Sequence, residues 1–561
     1  MIMTNQTSFK KRIPIHIILA ILVGTFWYLV IGKGSLNPIN ISWTFTHKDL
    51  AQHFLGWEFF RNEPFTFPLG KIQNYGFPFG TSLAFTDSIP LAGIFFKLFN
   101  PLLPDDFQYF GIWLLACFIL QAYFSIMILR KVTTNLAVLA LGTSLLLLSP
   151  ALLFRAYVHI SLTSHWLILW GIYLVLEGRE SQGKITWQWP VLFFCASAVH
   201  LYFVPMTLLL FCVYLINAKL NDYSYRELLF ELGLNLIVIF AANMIIGNFI
   251  LNGEDLNIGG LGIYSMNLNA LFDPLIYSRF LKELPKATEG QYEGFNYLGM
   301  GNIILLVWSI LLVVKNYSQI RLRKRDITII SACFIFSLIA LSNQITFWNH
   351  TLVVIDLPGF IDKIYGIARG TGRFFWPVFY FLIISMLILT INKIRARLAI
   401  VLLIIIVVVQ FVDISPLIRN IQARTTFTWE TPLQNEFWGK VPAYFSHVII
   451  YPADYLLVIN NYEPIAHMAA TNHLKLNAGF MARWPVEATS QYAEAKFRKA
   501  IKGNIKPNLL FVIMDPNAIT RIQSEKLVVL NIDGYTIMFA RNSPLLQSWP
   551  DWQNYEVQTD Q

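Results

Sequence analysis

Residues 46–61 read Thr46-His47-Lys48-Asp49-Leu50-Ala51-Gln52-His53-Phe54-Leu55-Gly56-Trp57-Glu58-Phe59-Phe60-Arg61, and they come soon after the first membrane-length apolar segment. Taken as a helix, the stretch puts Asp49, His53 and Trp57 at i, i+4 and i+8 on one face, with Gln52 beside them. Leu50, Phe54, Leu55 and Phe59 make the other side apolar. The pattern predicts a helix lying in a membrane interface, its apolar side in lipid and its acid, amide and imidazole turned toward a cavity. The competing reading is an amphipathic connector whose charges face water. Glu58 and Arg61, at i and i+3, are expected to pair with each other.

The whole chain agrees with a membrane setting. Hydrophobic residues fill 55% of the 561 positions, charged ones 13%, and the mean hydropathy is +0.52; a soluble globular chain carries about a quarter charged residues. The 45 Phe, 24 Tyr and 16 Trp are expected at interfaces as well as in cores. A net charge of +9 does not point to nucleic acid, because Lys and Arg fall in short clusters between apolar runs, which is the positive-inside signal. Cys117, Cys195, Cys212 and Cys333 lie inside apolar runs without metal-ligand spacing and read as buried thiols. The N-terminus is basic and then apolar with no small-residue cleavage site after Gly32, so it reads as a retained first span.

Crossing a bilayer takes about 20 residues of apolar helix. The candidates are 14–32, 107–129, 132–149, 165–178, 186–204, 205–219, 228–251, 301–316, 327–345, 374–391 and 398–414, about eleven spans. The pair 186–204 and 205–219 also reads as a re-entrant hairpin broken at His200 and Pro205. With eleven spans, Lys10-Lys11-Arg12, Arg130-Lys131, the 177–184 and 219–227 loops, 321–325 and 393–397 share one side. That side is the cytoplasm by charge, which puts the N-terminus inside and the C-terminus outside. The outer side receives the long first loop 33–106, in which 88–103 reads as a second interfacial helix, and loops 150–164, 252–300 and 346–373. From 415 onward the composition is mixed, with β-like runs at 447–451, 456–459, 509–514, 527–530 and 535–540 and a helical stretch at 487–502. These predict two domains: a transmembrane domain, 1–414, and a small extracytoplasmic α/β domain, 415–561.

Four groups could carry chemistry. Asp49 at a membrane surface with apolar walls suits a general base or a metal ligand, with His53 one turn on to share a cation. Arg369 and Arg373, four apart with Gly370 and Gly372 between, suit bidentate contacts to a phosphate or pyrophosphate, and as outer-side arginines they run against the charge bias. Arg155, His159, His165 and His200 suit hydrogen bonds to sugar or phosphate, or are buried structural residues. Glu293 beside Tyr292 and Tyr297 joins an acid to aromatic platforms, as sugar sites do, or orders a loop on the membrane face. There is no phosphate-binding P-loop, dinucleotide Gly fingerprint, nucleophile elbow or zinc pattern.

Asp49-Leu50-Ala51-Gln52-His53 and Trp57-Glu58-Phe59-Phe60-Arg61, with Tyr75-Gly76 and Thr86-Asp87-Ser88-Ile89-Pro90, resemble a family of bacterial multi-pass membrane proteins of unknown function (DUF6311-like). Glu293-Gly294-Phe295-Asn296-Tyr297-Leu298-Gly299 and Gly372-Arg373-Phe374-Phe375-Trp376 extend the resemblance over the membrane part. That family looks like a branch of the GT-C superfamily of polyprenyl-phosphate-sugar-dependent glycosyltransferases. The resemblance implies a catalytic acid in the first outer loop, here Asp49, and a sugar donor on a lipid phosphate held by Arg373 and Arg369. It also implies, often, a divalent cation such as Mg or Mn, for which Asp49 and His53 are the candidate ligands read from the residues; the expected acceptor is a glycan, lipid or protein. An adjacent Asp-x-Asp pair is missing, since position 47 is His and position 51 is Ala. The expectation is an inverting glycosyltransferase of the bacterial cytoplasmic membrane. The rivals are a lipid-linked glycan flippase, which needs ionisable residues mid-span, and a non-enzymatic scaffold for envelope assembly.

Overall fold

The structure is a computed structural model, and it describes residues 15–178, 186–251, 260–319, 321–359, 361, 368–454, 461–522 and 524–557. The basic cluster at 10–12, most of the 177–184 loop and the apolar run at 456–459 lie outside the described residues. Among the described residues, five helices are long and apolar enough to cross a membrane: Phe110–Leu129, Ile160–Glu177, Tyr225–Ile246, Thr371–Lys393 and Ala396–Asp413. Leu136–Leu147 with Pro150–Val158 would be a sixth, but the pair is bent by 49°. Ile15–Ile31, Gln188–Val199, Phe203–Lys219 and Met300–Lys315 are apolar but shorter, and Lys324–Leu341 opens on three charged residues. All eleven predicted spans are therefore helical, while five or six of them meet the length and apolarity of a span.

The interruptions have local causes. Pro150 has no N–H to continue the preceding helix and starts a new one, with the Ser149 hydroxyl capping Leu152 N at 3.4 Å. The predicted outer loop 150–164 is consequently helical over much of its length and carries Arg155. His200 stands in extended conformation after Gln188–Val199, and Phe203–Lys219 restarts with Pro205 in its first turn.

The chain forms two compact units. One is Met1–Asn37, Phe110–Ala241 and Asn257–Thr426; the other is Pro38–Tyr109, Ala242–Leu256 and Phe427–Gln561. The first is the helical membrane unit. Within it Phe110–Leu129 packs on Leu136–Leu147 and Trp166–Glu177, and Met300–Lys315 packs on Ala396–Asp413. Buried Asp413 accepts from the Tyr297 hydroxyl at 2.7 Å and from Met300 N at 2.8 Å, which pins the end of the loop that carries Glu293.

The second unit is built on a five-stranded sheet. Lys475–Leu476, His447–Tyr451 and Leu509–Ile513 run parallel, and Tyr535–Ala540 and Leu527–Ile532 complete it antiparallel. Glu463–Thr471 and Val486–Ile501 are the crossover helices that parallel neighbours require. Where the sequence reading divides at 414/415, the compact units divide at 426/427, and residues 38–109 group with the tail. Leu476 N donates to Asn74 O at 2.8 Å and Phe77 N donates to Leu476 O at 2.9 Å, so the first loop is stitched along the sheet edge.

This grouping corrects two expectations for 46–61. Helix Lys48–Arg61 is buried on both sides from Leu50 to Arg61, so no apolar face is left for lipid. Glu58 and Arg61 do not pair. The Glu58 carboxylate meets His467 Nδ1 at 2.8 Å and Thr471 Oγ1 at 3.1 Å, while Arg61 donates to Asn100 Oδ1 and Asp105 O at 2.8 and 2.7 Å. The second expected interfacial helix fares differently. Pro90–Lys97 and the turn after it expose Phe95, Leu98, Phe99 and Leu102, at i, i+3, i+4 and i+7.

Candidate functional site

In the membrane unit the polar residues of three loops converge. Pro150–Val158, re-aimed by the bend at Pro150, presents Arg155, and it ends at His159, whose N–H returns to Arg155 O at 2.8 Å. The turn Glu289–Gly294 supplies Glu293, and the turn Thr371–Phe375, opening the helix Trp376–Lys393, supplies Arg373. Glu293 Oε2 accepts from Arg155 Nη2 at 2.8 Å, from Arg373 Nη2 at 2.8 Å and from Arg373 Nε at 3.0 Å. Arg155 Nη2 also donates to Glu293 O at 3.0 Å.

Two glycines make this meeting possible. A Cβ on Gly372 would lie 2.4 Å from Gly294 Cα, so the two backbones touch only because residue 372 has no side chain, while a Cβ on Gly294 would fall 2.7 Å from Ser265 O. Asn296 locks the crossing, donating from Nδ2 to Gly294 O at 2.9 Å and to Gly372 O at 3.1 Å. Gly372 therefore serves the approach of two chain segments.

The three charged side chains are two guanidiniums on one carboxylate, a surplus of one positive charge. Arg155 is 2% exposed, Arg373 9%, and the Glu293 side chain 14%, so water screens the cluster little. Burial alone would raise the Glu293 carboxyl. The charges of Arg155 and Arg373, with the hydrogen bond from Arg373, outweigh that and hold it well below the usual carboxylate range. Such a trio can take a further anion, since planar guanidiniums suit phosphate oxygens. Tyr202 forms one wall: its ring lies 4.6 Å from the Arg373 guanidinium and its hydroxyl accepts from Gly370 N at 2.8 Å.

The other predicted residues of this unit sort by distance from the trio. The His159 ring meets His200 edge to face at 5.7 Å, and these are imidazoles able to hold a cation. His165 is fully buried, with Nδ1 at 2.7 Å from the Tyr380 hydroxyl and its ring 4.2 Å from Trp376. Arg155 stacks 5.4 Å from the same Trp376, so His165 supports the site through that indole. Arg369 stands over Tyr264 at 4.9 Å, and Tyr292 is 43% exposed beside Glu293. Tyr202, Trp376 and Asn296 were missed by sequence reasoning; Asn296 and Trp376 stand inside the two motifs quoted for the family resemblance.

The second unit holds the acids of the loop expected to be the first outer one. Asp49 sits in the first turn of Lys48–Arg61, its side chain 31% exposed, with Oδ2 at 3.6 Å from His47 Nδ1. His53 is buried and turns Nδ1 to the Asp49 main-chain oxygen, not to its carboxylate. Gln52 Nε2 donates to Asp87 Oδ2 at 3.0 Å. Asp87 is 6% exposed and left-handed at φ +55°, a conformation uncommon for non-glycine residues but more frequent for aspartate than for most. Gly56 lets the 86–88 segment reach the helix, since a Cβ there would fall 2.2 Å from Thr86 Oγ1. Asp87, a second acid of this loop beside Asp49, was missed by sequence reasoning, although it lies in the quoted run 86–90.

Two family descriptions match the chain: the domain of unknown function DUF6311 over residues 20–415, and the DUF6311 C-terminal domain over 437–540. No curated protein sequence matches it. Among solved structures the chain is similar to the archaeal oligosaccharyltransferase AglB from Archaeoglobus fulgidus in complex with an inhibitory peptide and a dolichol-phosphate. That likeness has 13% identity and a TM-score of 0.37 over 96% of this chain and 75% of that one. The Archaeoglobus fulgidus oligosaccharyltransferase in the apo form matches at 12% identity and a TM-score of 0.38, over 90% of this chain and 70% of that one. Both are distant likenesses.

Proposed function

The chain belongs to the DUF6311 family, and we propose that it is an integral-membrane glycosyltransferase of the GT-C kind. It moves a sugar from a polyprenyl-phosphate-linked donor to an acceptor glycan, lipid or protein outside the cytoplasm. The observation that carries this reading is the Arg155–Glu293–Arg373 trio, a buried cationic surplus built from the loops of an apolar helical unit. A phosphate attached to a membrane-embedded lipid is an anion such a place would take. The course of the chain in this proposal is eleven spans, with the N-terminus in the cytoplasm and the sheet-bearing unit outside.

Arg373 and Arg155 hold the donor phosphate, Glu293 fixes the spacing of their guanidiniums, and Arg369 stands at the approach. Asp49, with its carboxylate partly open to solvent, takes the proton of the acceptor hydroxyl. The acceptor oxygen then bonds to the anomeric carbon as the bond from that carbon to the phosphate oxygen breaks. Polyprenyl phosphate leaves with the electron pair, and the sugar inverts. Asp87, gripped by Gln52, is assigned as the second acid of the first loop. The His159–His200 pair, two imidazoles suited to zinc, iron or nickel more than to Mg or Mn, would be one place for a divalent cation, and Asp49 with His53 the other. Such an ion would offset charge on the leaving phosphate.

The deciding experiment incubates purified protein with a panel of polyprenyl-phosphate sugars and measures free polyprenyl phosphate. Release that depends on an acceptor supports the proposal. Movement of the lipid across a vesicle wall with no release, in every donor tested, replaces it by a flippase.

A further inference from the structure

We propose that the β-hairpin following helix Lys324–Leu341 lies in the outer-leaflet interface of the bilayer, with Leu352 and Val354 turned into lipid. The hairpin pairs Gln344–Phe347 with His350–Val354 as a separate two-stranded sheet. Two strands alone are marginal in water and normally need a covered apolar face. Here the reverse holds. Phe347, Trp348, Leu352, Val353, Val354 and Ile355 are each 43–60% exposed, and every residue of the second strand is exposed.

Continuity identifies what covers it. Helix Lys324–Leu341 begins with Lys324-Arg325-Asp326 and exposes Ile327, Ile330, Phe334 and Leu338, one stripe at i, i+3, i+7 and i+11. That stripe has the composition of a lipid-facing side, and the charged end marks its cytoplasmic mouth. The hairpin starts three residues past the other end and continues the same apolar surface. Trp348 at the turn is a residue type that settles at headgroup level. A free sheet edge does not occur in the hydrocarbon interior, where its N–H and C=O groups find no partner, so the hairpin rests at interface depth.

The hairpin is also rooted where the proposed site is built. Thr346 is fully buried; its oxygen accepts from Leu268 N at 3.0 Å and its hydroxyl from Gln291 Nε2 at 2.7 Å. Asn267 Nδ2 donates to Trp348 O at 2.7 Å and to Gln291 Oε1 at 3.1 Å. Gln291 is two residues from Glu293, so the hairpin and the trio share one loop. The interfacial placement itself does not rest on glycosyltransfer and would hold equally for a transporter.

The test uses the full chain in lipid nanodiscs, with an environment-sensitive fluorophore on Leu352→Cys or Val354→Cys. The parental protein treated with the same reagent supplies the background from the four native cysteines. Lys502→Cys, exposed after helix Val486–Ile501, is the control. Both hairpin positions should emit blue-shifted light, lose intensity when the lipid carries acyl-chain bromines, and ignore aqueous iodide. Lys502→Cys should do the opposite. Quenching of the hairpin positions by iodide and not by bromolipid overturns the proposal in favour of a bare surface. A blue shift that neither quencher reaches overturns it in favour of a protein partner or a second copy.

Discussion

Glu293 is the residue on which the proposed site turns, because it separates two guanidiniums that would otherwise repel. Removing one partner of a buried ion pair costs about 3–5 kcal/mol, since the other charge stays buried. Glu293→Gln should therefore lower the thermal stability of the membrane unit and abolish ordered donor binding together, read by melting in detergent with and without donor. Arg373→Lys is the subtler change. It keeps the charge and loses the fork that now gives Glu293 two contacts, at 2.8 and 3.0 Å. Charge-assisted hydrogen bonds are worth about 1.5–3 kcal/mol each, so donor affinity should fall at least tenfold. A Lys variant that binds donor like wild type leaves Arg373 as an anchor only. In the other unit, His467 provides a pH signature. Burial lowers its imidazole, but the charge and hydrogen bond of Glu58 outweigh burial, with Asp106 adding to them, and the net shift is upward. A raised folded value means the pair is fully stabilising below the unfolded histidine value, about 6.5, and is lost as pH climbs through the folded one. Hydrogen exchange in Lys48–Arg61 and Glu463–Thr471 should quicken over that rise, and Glu58→Gln should flatten the dependence. An unchanged slope in the Gln variant would assign it to another group.

Elements differ in how plainly the sequence announces them. The strands His447–Tyr451 and Tyr535–Ala540 coincide with β-branched and aromatic runs, and Val486–Ile501 lies one residue from its expected bounds. Lys475–Leu476 and the tiny pair Lys71–Ile72 with Thr81–Ser82 have no such run, since two residues carry no period. The residues of the trio were legible singly, as polar groups in loops expected outside, but their union was not. Glu293 is 138 positions from Arg155 and 80 from Arg373, and nothing local encodes a pairing at that distance. What joins them is an element-level device, the crossing of the turns Glu289–Gly294 and Thr371–Phe375 at Gly294 and Gly372. Gly372→Ala would push a methyl to 2.4 Å from Gly294 Cα, where only backbone can yield. Overpacking of this kind costs about 1–3 kcal/mol. The variant should reach the membrane, show faster exchange over 289–296, and bind donor weakly although every charged residue is intact. Normal exchange with normal binding would mean that the crossing is slack and does not set the guanidinium spacing.

At the scale of the molecule, residues 38–109 belong with the sheet of the tail, although residues 110–426 lie between them in the chain. The strand-edge bonds of Asn74 and Phe77 with Leu476 and the Glu58–His467 pair join them, so the helix that looked like a lipid-bound element is buried within the sheet-bearing unit. Hydrophobic pattern could not show this, because a helix buried by protein and one buried by lipid have the same apolar residues. The proposal then assigns the anion-binding work to one unit and the acids to the other, and the two can be tested apart. General-base catalysis contributes about 10²–10⁴-fold, and Asp49→Asn is nearly isosteric, so it should leave membrane levels and donor binding unchanged while release of polyprenyl phosphate falls by about that factor. Asp87→Asn alters a buried left-handed residue that Gln52 holds, so hydrogen exchange of Lys48–Arg61 must be read beside its activity. Both variants are assayed with and without EDTA. Loss in Asp49→Asn with EDTA-sensitive wild type supports a base working beside a cation. Wild-type release from Asp49→Asn together with loss in Asp87→Asn, its helix still protected, would move the base to Asp87. Full release from both variants would take the acids of the first loop out of the chemistry, and leave the trio as a binding site in search of another reaction.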